Sequence, residues 1–314
     1  MAVPRFASCA DRLLYDPAMS DDPYWSAETS GEPSGRFGGD PLVTDTFVPW
    51  WNAAIGVVAR SWRSMGLILL IGAVLPRWVL GAYWALASPR GAFEGEDWRA
   101  AAEAAMPAWP TAFVGGLLWL VLLYLGAAAS MAATRTAAAE AAGGFLSLGE
   151  AFRFGFGRGW RLWLWLLLAW ITVSVGLVLC FLPGLWAAFA LSLMVPAATF
   201  EHRRSPYARS IRLTHSAFWA ALGRLIIVVL VAFAANALIG LIGALLSGLW
   251  HAVFAGWLAA VLTVVTEAVM ALLLLVPTVW VLAAALCSYA WLRGRREPVS
   301  ATSLSAEASG GNGD

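Results

Sequence analysis

Long apolar runs separated by short arginine-bearing intervals dominate the chain between about Val43 and Glu297. A helix that crosses a bilayer needs roughly 20 mostly apolar residues. Six stretches answer to that pattern: Met65–Ala87, Ala112–Ala133, Leu162–Phe181, Leu185–Phe200, Leu225–Leu246 and Ala268–Leu292. The predicted fold class is therefore all-α, a polytopic membrane protein with six transmembrane helices in three hairpins and cytoplasmic interfacial helices. A further apolar stretch, Leu249–Thr266, is expected to lie along the outer interface or to dip in and return. Its Trp250 and Trp257 suit the interfacial belt, where an amphipathic ring keeps one wet edge. Outside this region the periodicity stops. Residues 1–43 and 298–314 are rich in Pro, Gly, Ser and Asp and read as disordered tails around a transmembrane domain at 44–297. The stretch "MSDDPYW" offers a start at Met19 as good as the one at Met1.

Charge orients the spans. Arg60 and Arg63 precede the first, Arg135, Arg153, Arg158 and Arg161 separate the second from the third, and Arg203, Arg204, Arg209, Arg212 and Arg224 separate the fourth from the fifth. Arg293, Arg295 and Arg296 follow the sixth. These intervals alternate with ones that carry only Arg90 and Arg99, diluted by Glu94, Glu96, Asp97 and Glu103. By the positive-inside rule both termini are cytoplasmic. A seventh span at Leu249–Thr266 would carry "RGRRE" outward and break the alternation.

Composition strengthens the class and narrows the function. The chain is 61% hydrophobic and 12% charged, where a soluble domain is about 45–50% apolar and about 25% charged. The net charge of +1 gives no global field for nucleic acid. All 20 basic residues are arginine and Ala and Gly abound, as a GC-rich genome would produce; the expected location is a bacterial plasma membrane. Cys9, Cys180 and Cys287 are too few and too odd in number for a disulfide framework.

The segment "LPGLWAAFALSLMVPAATFE" (Leu182–Glu201) predicts a hairpin. Pro183 and Gly184 read as the turn between the third and fourth spans, Pro196 as a bend near the exit, and Glu201 as the water boundary. "RSWR" (Arg60–Arg63), "RGWR" (Arg158–Arg161) and "YARSIRLTHSAFW" each stand before a span, which suggests three copies of one unit: an amphipathic helix, an interfacial tryptophan, then a hairpin.

These segments resemble the membrane-domain family named after glycerophosphoryl diester phosphodiesterase. The likeness rests on the Leu182–Glu201 segment, on "SPYARSIRLTHSAFW" after it, and on "SYAWLRGRRE", where Tyr289, Arg293, Arg295 and Glu297 fit best. Ala290 or Trp291 stands where that family tends to have Asp. The resemblance implies a membrane domain alone, since the namesake chemistry belongs to a separate soluble domain.

Candidate chemistry is sparse. His202, His215 and His251 have no metal-ligand spacing, "GFGRG" (Gly155–Gly159) lacks a Walker lysine and reads as a flexible or membrane-hugging helix, and no nucleophile elbow occurs. No enzyme activity, cofactor or metal is expected. The candidate lipid head-group residues are Arg153, Arg158, Arg203, Arg204, Arg209 and Arg212, because arginines on interfacial helices suit anionic heads. Arg77 and Asn236 are the polar groups expected inside the membrane, at similar depth. Glu267, counted back from Arg293, is expected too high to pair with Arg77. Gly240, Ala244 and Gly248, spaced by four, predict a close helix contact. The expected function is a non-catalytic integral membrane module that binds lipid or a partner membrane protein; the alternative is a small-solute transporter or permease component.

Overall fold

The computed structural model describes residues 40–44, 46–87, 109–201, 204–254 and 256–310. Residues 1–39 of the predicted tail 1–43, the interval with Arg90 and Arg99, and His202 and Arg203 lie outside them; residues 40–43, also read as disordered tail, are packed, with Leu42 and Val43 buried and Asp40 accepting the Ala301 N–H.

Every regular element among the described residues is helical. The first span joins α1 (Phe47–Leu69) through one π turn (Leu70–Val74) to α2 (Leu75–Ala87). Then come α3 (Trp109–Ala141), α4 (Leu148–Leu179), α5 (Phe181–Leu191) and α6 (Met194–Phe200). The chain continues with α7 (Pro206–Ser216), α8 (Phe218–Val253), α9 (Trp257–Gly294) and α10 (Ala301–Ser309). Six segments are long and apolar enough to cross a membrane: Phe47–Ala82, Phe113–Ala141, Leu148–Leu179, Phe181–Phe200, Phe218–Val253 and Trp257–Gly294. The protein is an all-α polytopic membrane protein whose consecutive spans pair as hairpins.

The helices overrun a bilayer. With 36 and 38 residues, α8 and α9 are about 54 and 57 Å long at ~1.5 Å per residue, against a hydrocarbon layer of about 30 Å. The excess forms a protein core at the arginine-rich end. Along α9, Trp257, Val261, Val265, Val269, Leu273 and Val276 are exposed, whereas Leu282 to Leu292 is buried without interruption. The same division runs through α3, exposed at Phe113–Val121 and buried from Ala127 to Ala139. One half of the bundle thus offers apolar side chains outward, as lipid requires, and the other packs them inward.

Element boundaries depart from the sequence reading in five places. The helical turns expected beside the first and third spans are continuous with those spans, so α7 alone stands separate. Its boundary is built locally: the Ser205 hydroxyl accepts the Ala208 N–H, Pro206 fills the first turn, and Ala217 leaves helical geometry. Second, Leu249–Thr266 is no independent segment, because its two ends belong to α8 and α9 around a turn with Gly256 at φ 68°. The two helices are closed there by Trp250 Nε1, which donates to Thr266 Oγ1 (2.9 Å).

Third, the hairpin turn falls at Cys180, in extended geometry, rather than at Pro183–Gly184. Pro183 sits in the first turn of α5, where a missing N–H costs no helical bond. Gly184 serves the packing, since a Cβ on Gly176 would lie 2.8 Å from the Gly184 Cα. Fourth, residues 301–309, read as tail, form α10 on a Ser300 capping box. Fifth, the Gly240, Ala244 and Gly248 face makes no close contact; the neighbouring Gly243 meets Met270 instead.

The fourth span is broken. Pro196 would clash with the carbonyl four residues back, that of Ser192, and the helix interrupts at Ser192–Leu193. Ser210 of α7 repairs the break: its Oγ accepts the Leu193 N–H (3.2 Å) and donates to the Ala190 carbonyl (2.7 Å).

Candidate functional site

Two arrangements of arginine occupy the buried end. The first is an ion-pair network. Arg209, one turn into α7, puts Nε 2.6 Å from Glu201 Oε1 and Nη2 3.0 Å from Glu297 Oε1. The Tyr289 hydroxyl donates to Glu201 Oε1 (2.7 Å). Arg293 reaches Glu297 Oε2 (2.9 Å) and grips Glu307 of α10 with both terminal nitrogens (2.6 and 2.8 Å). Burial acts to lower the Arg209 pKa, but the hydrogen bonds and charges of Glu201 and Glu297 outweigh it and raise it. Burial likewise pushes the Glu297 carboxyl up, and Arg293 and Arg209 overcome it and hold it below 4.5.

Five residues from the segments that carried the family resemblance meet in this network, Glu201, Arg209, Tyr289, Arg293 and Glu297, whereas Arg295 stands outside it. They join α6, α7, α9 and α10 into one unit. Beside them Arg224 is buried between tryptophans, its guanidinium carbon 3.6 Å from the Trp291 ring centroid and 5.6 Å from that of Trp50.

The expectation that Arg209 offers its charge to lipid is therefore corrected: the side chain is 7% exposed and paired with two carboxylates. Arg212, also a candidate head-group residue, is exposed, as is Arg204, whose carbonyl accepts from Arg161 Nη2 (2.8 Å). Arg203 lies outside the described residues.

The second arrangement is a cleft of about 370 Å³ between the end of α3, the start of α4 and the end of α10. It gathers Arg153 and Arg158, both expected, with Arg135, which the sequence offered only as an orientation signal. The guanidinium carbons of Arg135 and Arg158 lie 4.5 and 4.9 Å from the ring centroid of Phe154, itself buried. The wall's carboxylate, Glu150, belongs to the α4 cap: its Oε2 accepts from the Ser147 N–H (3.1 Å) and hydroxyl (2.7 Å). Arg158 Nη1 also donates to the Ala308 carbonyl at the C-terminal end of α10 (3.5 Å), which carries partial negative charge.

Close helix packing brings these groups together. A Cβ on Gly155 would lie 2.3 Å from the Ala128 carbonyl oxygen, and one on Gly159 would lie 2.9 Å from Ala128 Cβ. "GFGRG" is thus a contact surface between α3 and α4 rather than a flexible stretch. A guanidinium presents a planar fork of donors that matches phosphate or carboxylate. Three of them, Arg135, Arg153 and Arg158, line this cleft beside Glu150.

The intramembrane polar residues separate. Asn236 is exposed and donates to the Ala232 carbonyl one turn back (2.7 Å). Arg77 instead lines a cleft of about 410 Å³ together with Glu267. Counting back from Arg293 predicts Glu267 too high for Arg77; it is not, because Arg293 does not mark the same level as Arg63 at the arginine-rich end of the first span. In the fold, Gly66 faces Leu275 and Trp78 Nε1 donates to the Val264 carbonyl (3.1 Å). Arg63 is thus far from level with Arg293, because the end of α9 runs on into the buried core.

Among the described residues no three His, Cys, Asp or Glu side chains gather as a metal site would need. No family model, curated protein or solved structure matches this chain.

Proposed function

We propose that the protein is a non-catalytic membrane module that holds an anionic lipid head group at its arginine-rich end, with Arg135, Arg153 and Arg158 as ligands. One observation carries this reading: three guanidiniums converge on a cleft whose carboxylate, Glu150, is occupied by the Ser147 cap. The arginine-rich end then faces the cytoplasm, where anionic lipids give each nearby arginine about 1 kcal/mol.

A transport reading draws on one feature, the broken fourth span, since interrupted helices often bind solutes. There Ser210 takes both the Leu193 N–H and the Ala190 carbonyl, so the break spends its polar groups on the fold.

The test is native mass spectrometry of the detergent-purified protein with added phosphatidylglycerol. Arg153→Gln with Arg158→Gln should lower the retained lipid on the order of tenfold. Arg212→Gln, an exposed arginine away from the cleft, should leave it unchanged. Equal loss from both variants, or none from either, would defeat the head-group reading.

A further inference from the structure

The cleft between the first span and α9 makes an electrostatic demand that the protein leaves unmet. Its walls carry a guanidinium, Arg77, and a carboxylate, Glu267. Among the described residues neither side chain has an ion pair or a hydrogen bond, although both line the same space of about 410 Å³. Both are exposed on the bundle surface, along stretches whose neighbours Leu75, Val79, Val269 and Leu273 are exposed and apolar. Glu267 lies ten residues from the end of its helix away from the arginine-rich core, about 15 Å at ~1.5 Å per residue. Charges in such a layer are costly, and an unpaired one marks a binding or conduction site by default.

Local backbone supports a built site. The first span contains a π turn at Leu70–Val74, immediately before Pro76 and Arg77. Such a turn inserts one residue into the helix and shifts the facing of all that follow; π turns concentrate at functional positions. Trp78 then ties the wall to α9 through the Val264 carbonyl. Two opposite charges held level, yet not joined, fit an occupant that carries both charges itself.

We infer that this cleft binds a zwitterionic phospholipid with a primary ammonium head. The phosphate lies on Arg77, the ammonium donates to Glu267, and the acyl chains lie along the exposed apolar surface beside Leu75, Val79 and Leu273. The carboxylate makes the selection. A primary ammonium offers N–H donors to Glu267, whereas a quaternary one offers none, and a purely anionic head would place like charge against Glu267. A free zwitterion would satisfy the two charges equally well, but most of the remaining lining, including Leu69, Val74, Met270 and Leu274, is apolar and matches hydrocarbon, and the Thr278 hydroxyl is turned to the Leu274 carbonyl (2.7 Å). This site is separate from the Arg135, Arg153 and Arg158 cleft in place and in ligand charge.

The full-length protein in detergent, examined by native mass spectrometry, tests the inference with four probes. They are phosphatidylethanolamine, phosphatidylcholine and phosphatidylglycerol of identical chains, and free phosphoethanolamine as the head group without chains. The wild type should retain the ethanolamine lipid about tenfold better than the choline lipid. Glu267→Gln should erase that preference, and Arg77→Gln should cut retention of both lipids. Arg153→Gln with Arg158→Gln should reduce phosphatidylglycerol alone, so the two sites fail separately. Equal retention of ethanolamine and choline lipids by the wild type would overturn the inference without any variant. Displacement of the lipid by millimolar phosphoethanolamine would overturn the choice of a lipid over a free zwitterion.

Discussion

Arg209 and Glu201 meet at 2.6 Å with both side chains less than a tenth exposed. Removal of one partner leaves the other charge buried and uncompensated, a loss of about 3–5 kcal/mol. Arg209→Ala should therefore lower the thermal midpoint in detergent sharply. Arg212→Ala, three residues away and exposed, should shift it little. Equal shifts would show that the network adds nothing to the fold.

The contact of α10 depends on the same network and gives it a pH dependence. Arg293 and Arg209 hold the Glu297 carboxyl below 4.5, so its ion pairs stabilise the fold above that pH and are lost as pH falls through the depressed value. The protection of the amides of residues 301–309, taken relative to their intrinsic exchange rates at each pH, should be high at neutral pH and fall on acidification below 4.5. Glu307→Gln, which removes the charge gripped by Arg293, should lower that protection at neutral pH.

Gly155 tests the convergence of α3 and α4. A methyl group there would overlap the Ala128 carbonyl, at 2.3 Å from Cβ. Gly155→Ala should cost about 1–3 kcal/mol and weaken retention of phosphatidylglycerol, because Arg135 moves away from Arg158. Gly116→Ala, on the exposed part of α3 where an added methyl would meet nothing within 4 Å, should preserve both properties.

Ser210 gives a fourth expectation. Ser210→Ala leaves the Leu193 N–H and the Ala190 carbonyl buried without partners, at about 1–3 kcal/mol. Ser210→Thr keeps the hydroxyl and should recover most of the loss. Thermal unfolding of the two variants separates the hydrogen bonds from simple packing.

Apolar length and arginine placement made the membrane class, the six spans and their pairing readable, because both are properties of single segments. Boundaries that rest on contacts between segments were not readable. A proline and a glycine at 183–184 look like a turn until Gly176 is seen pressing on Gly184. Residues 301–309 look like tail until Arg293 supplies the partner for Glu307. Of the candidate arginines, Arg153 and Arg158 line one cleft, whereas Arg209 is buried by carboxylates 8 residues before it and 88 after it. Arg135 joined the site through a helix that continues past it to Ala141, a signal present in the alanine-rich run "TRTAAAEAA" but outweighed by its place between spans. Arg77 and Glu267 came level because α9 extends far beyond the bilayer, a length that hydropathy alone does not register.

The late position of α10 in the chain has a consequence for how the molecule matures. Segments emerge from synthesis in order, and earlier ones begin to fold first. All six spans are therefore made before Glu307 can reach Arg293 or Ala308 can reach Arg158. Until then the water-side half has inserted helices but no closing element. Newly made protein should pass through a stage that is membrane-integrated yet protease-sensitive around residues 293–300, and pulse-chase proteolysis should show that sensitivity vanish as the last helix seats.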